Sequence, residues 1–309
     1  MLNFLKNSSK NYIAILDVRD GSVGGMLVLI DKENKIPEKV YSVRKELPFQ
    51  KIFSYKRTFY ATMQAINSVI ADILKNSGHV PEKILCMMGP HLHISQTRII
   101  KSSFDKPTKI TEKLINELVR SDLKIFEDMH FHNVLADSES LNTMLDHKIM
   151  QVKLNGYNTP VPFDKIASDI EISVYVSMMS RVVKKDLESI ISKGFHNNFI
   201  DFHSYSFALF DSTRGLNIER DGFVVVDVES ELTEVIAVKN GIIEETASFP
   251  LGKNFLLRKI SEEFNTMHEE AVSYLSMHKD NTGSKEVMLK IKTAVDKANA
   301  EWTNALNES

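Results

Sequence analysis

Cysteine is almost absent: Cys86 is the only one in 309 residues, which excludes an internal disulfide framework and fits a reducing compartment. Charge of either sign is not in excess. The balance of 38 Lys and Arg against 41 Asp and Glu, with a pI near 6.4, lacks the basic surplus of a nucleic-acid binder, so no nucleic-acid partner is expected. Long apolar runs are missing as well, since none approaches the roughly 20 residues that a membrane-spanning helix requires. The opening Met1-Leu-Asn-Phe-Leu-Lys is too short for a secretion signal before the polar Asn7-Ser-Ser-Lys-Asn, and a cytoplasmic protein is expected. No serine, histidine and acid stand in the elbow context of a hydrolase. His91-Leu-His93 and His130-Phe-His132 alternate as strand residues do, so each pair can turn two imidazoles to one face as metal ligands. No third ligand follows at a fitting spacing, and both pairs read as surface or interface residues. Cys86 lies within an apolar run and reads as core.

What is present is a repeated hairpin. Phe223–Val226 is apolar and β-branched, as a strand buried on both faces is, and it stops at Asp227. Glu234–Val238 is a second strand; Asn240-Gly241 then supplies the positive φ angles of a type I′ turn, and Ile242–Ala247 returns. Near the N-terminus, Ile13–Leu16 is an apolar run ending in Asp17, followed by Val-Arg-Asp-Gly-Ser-Val-Gly-Gly and a second apolar run, Met26–Ile30. An acid at the end of the first strand of each hairpin can reach a metal-bound phosphate while turn amides cradle the phosphate oxygens. Two such hairpins imply two related lobes facing one cleft, and with 43% hydrophobic residues the chain can fill cores for two or three compact units.

Asp17–Gly25 and Asp227–Glu234 resemble the first and second phosphate motifs of the actin-like ATPase superfamily, whose bacterial branches include the division protein FtsA and the pilus protein PilM. Between them, Lys148–Tyr157 and Ala167–Tyr175 resemble the FtsA-type (SHS2) inserted subdomain, and Ser248-Phe-Pro-Leu-Gly-Lys-Asn254 resembles the segment after the second phosphate hairpin. The resemblance implies an α/β fold of two actin-like, ribonuclease H-like lobes with mixed sheets around a cleft, plus a small inserted α+β subdomain. The implied units are 1–104 with 196–216 for the first lobe, 105–195 for the insert and 217–309 for the second lobe. Family members hold the adenosine with a strand and glycine-rich turn after their last helix; none is legible here, so the second lobe is expected to be incomplete at its C-terminus.

The elements read as follows in chain order. Phe53–Asn76 has helical spacing and is closed by Ser77-Gly78; Ile84–Met88 is a buried strand. Thr111 caps an amphipathic helix over Glu112–Phe126, strands are expected over 130 to 136, 148 to 154 and 171 to 178, and a helix over Val182–Ser192. Ile200–Phe210 returns to the first lobe, and two helices, Phe255–Phe264 and one from about Lys285 to Leu306, close the chain.

The candidate nucleotide-binding residues implied by the resemblance are Asp17, Gly21, Ser22, Asp227 and Thr233, with Asp17 and Asp227 reaching Mg²⁺ through the nucleotide. The motifs also depart from the family. Arg19 replaces a glycine in the first turn and Glu229-Ser230 replace glycine in the second, at positions where backbone must approach phosphate closely. Arg19 can pair with phosphate or, across an empty cleft, with Glu229. The expectation is therefore a scaffold that has lost ATP and Mg²⁺ and keeps the fold for protein partners of a division or type IV pilus complex, with self-assembly possible and membrane contact only indirect. The alternative is an ATP/Mg-binding switch whose nucleotide state controls assembly. No catalytic residue is assigned.

Overall fold

The computed structural model describes residues 10–31, 36–132, 142–214 and 222–309. The elements run β1 (Lys10–Val18), β2 (Ser22–Asp31), β3 (Pro37–Glu46), α1 (Tyr55–Ser77), β4 (Lys83–Met88), β5 (Ile94–Lys109), α2 (Glu112–His132), β6 (Asn142–Leu154), β7 (Tyr157–Asn158) and β8 (Ile166–Ser180). They continue through α3 (Arg181–Phe195), β9 (Ile200–Ser204), α4 (Tyr205–Arg214), β10 (Gly222–Val228), β11 (Thr233–Lys239), β12 (Ile242–Phe249), α5 (Lys253–Phe264), α6 (His268–Asp280) and α7 (Lys285–Glu308).

Three sheets result, in the orders β3-β2-β1-β4-β9, β5-β8-β6-β7 and β10-β11-β12. In the first, β1 pairs antiparallel with β2 and parallel with β4, so the apolar residues Ala14, Leu16 and Val18 are fully buried at its centre. Helix α1 covers this sheet with Ile66, Val69, Ile70 and Ile73, and it stops at Gly78, whose φ of 68° lets its amide reach the Leu74 carbonyl. The third sheet repeats the first hairpin and its return strand, with β10, β11 and β12 all antiparallel. Helices α5, α6 and α7 share a core of Leu257, Ile260, Ala271, Ile291, Ala294 and Val295. This is the α/β architecture of two lobes with an inserted α+β unit between them in sequence.

Several local readings are corrected. The strand expected over 130 to 136 is helix as far as His132, because α2 continues beyond Phe126; 133 to 136 lie outside the described residues. Ile94–Lys109 is one long strand, hidden in the sequence because only Ile100 is buried along it and no continuous apolar run forms. It pairs with β8, so a boundary at 104/105 falls within it. Helix α3 adds Leu187, Ile191 and Phe195 to the core beneath α1 and therefore packs with the first lobe, although it was read as part of the insert. The segment read as returning to the first lobe is β9 followed by α4, whose fully buried Phe210 meets Ile236, Val238 and Ile243 of the second lobe. A third closing helix, α6, escaped notice because Ala271 is its one fully buried residue.

Candidate functional site: the cleft between two hairpins

The turn of each hairpin is short and internally bonded. Arg19 donates its amide to the Ser22 carbonyl at 2.9 Å, and Glu229 donates its amide to Leu232 at 2.9 Å. The second turn rests on the start of α5, where the amides of Lys253 and Asn254 donate to the carbonyls of Glu229 and Ser230 at 2.9 and 2.8 Å. Gly252 makes this possible: a Cβ there would stand 2.6 Å from the Glu229 oxygen and from two backbone atoms of Ser230. The glycine noted after the second hairpin therefore serves close packing of helix on turn.

The two turns meet face to face. The carboxylate of Asp20, 4% exposed, accepts three successive amides of the opposite turn, from Ser230 at 2.9 Å, Glu231 at 2.7 Å and Leu232 at 2.9 Å. In return the Asp20 amide donates to Glu229 Oε2 at 3.3 Å. Gly21 touches Ser230 so closely that a Cβ would lie 1.8 Å from the serine Oγ.

Arg19 crosses the cleft beside this contact. Its Nη2 lies 2.5 Å from Asp227 Oδ2, its Nε lies 2.7 Å from Glu229 Oε1, and its guanidinium sits 3.8 Å from the ring centre of Tyr205 at the start of α4. Burial works against the charge, yet Glu229 and Asp227 hold the guanidinium pKa above its ordinary value. For Glu229, burial is the largest effect and pushes the carboxyl upward, against the pull of Arg19. Of the two pairings open to Arg19, the one with Glu229 across the cleft is present, and Asp227 is added to it.

The other candidate residues are engaged as follows. Asp17 at the end of β1 forms an ion pair with Arg44 of β3, which also donates through Nη1 to Ser22 Oγ at 2.7 Å. Thr233 is fully buried; its hydroxyl donates to the Leu251 carbonyl at 2.7 Å and accepts from the Trp302 indole at 2.9 Å. Ser22, Gly24 and Gly25 lie in β2, where a Cβ on Gly25 would come within 2.2 Å of Val69, so this glycine admits α1. Asp17, Arg19, Gly21, Ser22, Glu229 and Ser230 thus line one polar cavity of about 310 Å³, together with Arg44, Tyr205 and Lys253; Asp227 closes it through Arg19 and Thr233 stands outside it. A larger cavity of about 820 Å³ adjoins at Gly21, Ser230 and Lys253 and runs between Glu46–Phe49 and the helices α5 and α6.

Sequence reasoning did not single out Asp20, Arg44, Tyr205 or Glu234 as site residues. Glu234, on β11 and 2% exposed, takes a hydrogen bond from Ser206, and burial raises its pKa to about 7. The surface reading of the first histidine pair is also corrected. His93 is 8% exposed and the ring nitrogens of His91 are enclosed; burial lowers the pKa of His91 to about 3 and that of His93 to about 4, so both are neutral at pH 7. His130 and His132 belong to α2, at a point where side chains lie outside the description. Among the described residues, no group of three or more His, Cys, Asp and Glu is placed to hold a metal ion, and no helix is long and apolar enough to cross a membrane.

Chemically, the arrangement neutralises charge across the cleft and joins hairpin to hairpin. Its carboxylates face a guanidinium and backbone amides.

Comparison with known protein families and with curated proteins finds no match for the sequence. Among solved structures, a chain of a PilM–PilN type IV pilus biogenesis complex superposes with a TM-score of 0.60 at 14% identity, over 98% of this chain and 76% of the other. At that identity the likeness bears on fold, and it agrees with the two-lobed actin-like architecture with an insert. A Bacteroides thetaiotaomicron protein with actin-like ATPase fold and unknown function (11% identity, 86% and 81% coverage, TM-score 0.40) and the ethanolamine utilization protein EutJ from Carboxydothermus hydrogenoformans (11% identity, 97% and 72% coverage, TM-score 0.45) are too distant to add weight.

Proposed function

We propose that this chain is an actin-fold scaffold of a membrane-associated assembly, of PilM type in a type IV pilus system, and that its cleft does not take up ATP and Mg²⁺. The observation that carries the reading is Arg19, which stands between the two hairpins and pairs with Asp227 and Glu229 at 2.5 and 2.7 Å. A guanidinium there offsets the acids that in the family face a nucleotide-bound cation, so no Mg²⁺ is needed to balance them. Asp17, the other acid of the pair, is likewise engaged by Arg44. The likeness to a chain of a PilM–PilN type IV pilus biogenesis complex supports protein partners, and such a partner is the route by which the chain would reach the inner face of the cytoplasmic membrane. A division role of FtsA type is the other assembly that the sequence resemblance allows. The scaffold then comprises two lobes and an insert, with the insert's sheet beginning at Ile94 and α3 packed with the first lobe.

The alternative is an ATP-dependent switch. Its support is the cavity of about 820 Å³ beside the cleft, which offers space for a base and ribose next to Lys253. Thermal melting decides between them. A ligand at about 100 times its dissociation constant stabilises a fold by roughly 2.7 kcal/mol and lifts the melting temperature of a chain this long by about 4 °C. Millimolar ATP with Mg²⁺ is expected to leave the midpoint within about 1 °C of its starting value. A larger rise that Asp17→Ala or Asp227→Ala abolishes would establish the switch and defeat the scaffold.

A further inference from the structure

We propose that the turn Glu229–Leu232 is a complete oxyanion-binding nest whose occupant is the chain's own Asp20 carboxylate, so that a phosphate-class anion finds the site only when that carboxylate is removed. Three consecutive amides, those of Ser230, Glu231 and Leu232, converge on one carboxylate at 2.9, 2.7 and 2.9 Å. Successive backbone amides turned to one point form a concavity that takes anions, and a carboxylate oxygen pair occupies it as two oxygens of a phosphate would. The nest is built rigidly. Its carbonyls at Glu229 and Ser230 are bound by the first amides of α5, its flank is pressed against Gly21, and Asp20 itself is 4% exposed.

The position of Asp20 joins the two hairpins through the chain's own carboxylate. In an open cleft those three amides would need an anion or water; here a residue of the opposite lobe supplies the anion from inside the chain. Lys253 lines the same cavity and can add charge for a dianion, and Arg19 stands beside it, paired with Glu229. The inference rests on the reading that the cleft takes no nucleotide.

Inorganic phosphate is the probe, with chloride at equal ionic strength as control, read by amide chemical shifts in the full chain. In Asp20→Ala the amides of Ser230, Glu231 and Leu232 are expected to shift saturably with phosphate and not with chloride, while the wild-type chain shows no saturable shift. Wild-type binding at these amides as tight as the variant's, or a folded Asp20→Ala that does not respond, overturns the proposal. If Asp20→Ala does not fold, hydrogen exchange on the wild-type chain decides: the three turn amides are expected to exchange about 100-fold or more slower than those of an open turn, and open-turn rates overturn the proposal. Melting with ATP and Mg²⁺ separates the two readings, because a raised midpoint with these amides still protected sinks the scaffold alone, supporting the Asp20 nest.

Discussion

At the scale of single residues, Arg19 and Glu234 make opposite demands on the interior. Arg19 sits among acids, so Arg19→Ala leaves Asp227 and the 5%-exposed Glu229 without their cation. Removing one partner of a buried pair costs about 3–5 kcal/mol, and Asp227, being partly exposed, brings the expectation to the lower end of that range by urea unfolding. Glu234 lies in the fold with its pKa raised to about 7 by burial, from an ordinary value of 4.5. A carboxyl whose folded pKa is raised contributes full stability below its unfolded pKa and loses it as pH rises through the folded one. Stability is therefore expected to fall between about pH 4.5 and pH 7, by at most roughly 3 kcal/mol. Denaturant midpoints for Glu234→Gln should lack this component, and a wild-type chain with no greater loss than the variant over that range would refute the assignment.

At the scale of elements, the hairpins depend on backbone approach. The turn after β10 is clasped by the start of α5 through Gly252, where an added Cβ would meet three backbone atoms at 2.6 Å. These atoms belong to a turn already bonded on its other side to Asp20, so they cannot retreat cheaply. Gly252→Ala is expected to cost about 1–3 kcal/mol and to perturb the amides of Ser230 and Glu231. A variant as stable as wild type with unmoved amides would show that helix and turn are loosely coupled. Element assignment from sequence worked where the local pattern was strong. The α1 stripe and its terminal glycine, and the apolar runs of β1, β4 and β10, each announce themselves within a few residues, although β10 is not buried on both faces as its run implied: it is an edge strand with Val224, Val226 and Val228 exposed. Element assignment missed β5 and α6, whose burial is thin, and it gave no helix at α4, whose Phe210 is buried in a core supplied by other segments.

At the scale of the whole molecule, the insert is woven into both lobes. Tyr175 of β8 is fully buried beside Ile236, Val238 and Ile243 of the second lobe, and Met179 lies in the core of the first. Asp146 of β6 accepts from the Ser204 amide at 2.6 Å and lies 2.8 Å from His203 Nδ1 at the end of β9. Thr97 of β5 donates to the Ile243 carbonyl at 2.6 Å, and the Thr246 hydroxyl donates to Ser95 at 3.0 Å. Excision of 94–180 with a short linker is expected to abolish cooperative unfolding, because it opens cavities in two cores and strands buried partners. A cooperative melt of the excised chain, followed by circular dichroism, would instead mark the insert as an independent module. The sequence by itself determined the two hairpins, the acids that end their first strands and most helix positions, since all of these are written in local periodicity, turn residues and apolar runs. Only the tertiary structure decided what the hairpins do to each other. Asp20 lies 210 residues from Ser230 and Arg19 lies 208 from Asp227, and no local pattern encodes a contact across such a distance. It arises from the register at which two separately formed hairpins meet, and that register is set by the packing of the sheets and helices behind them.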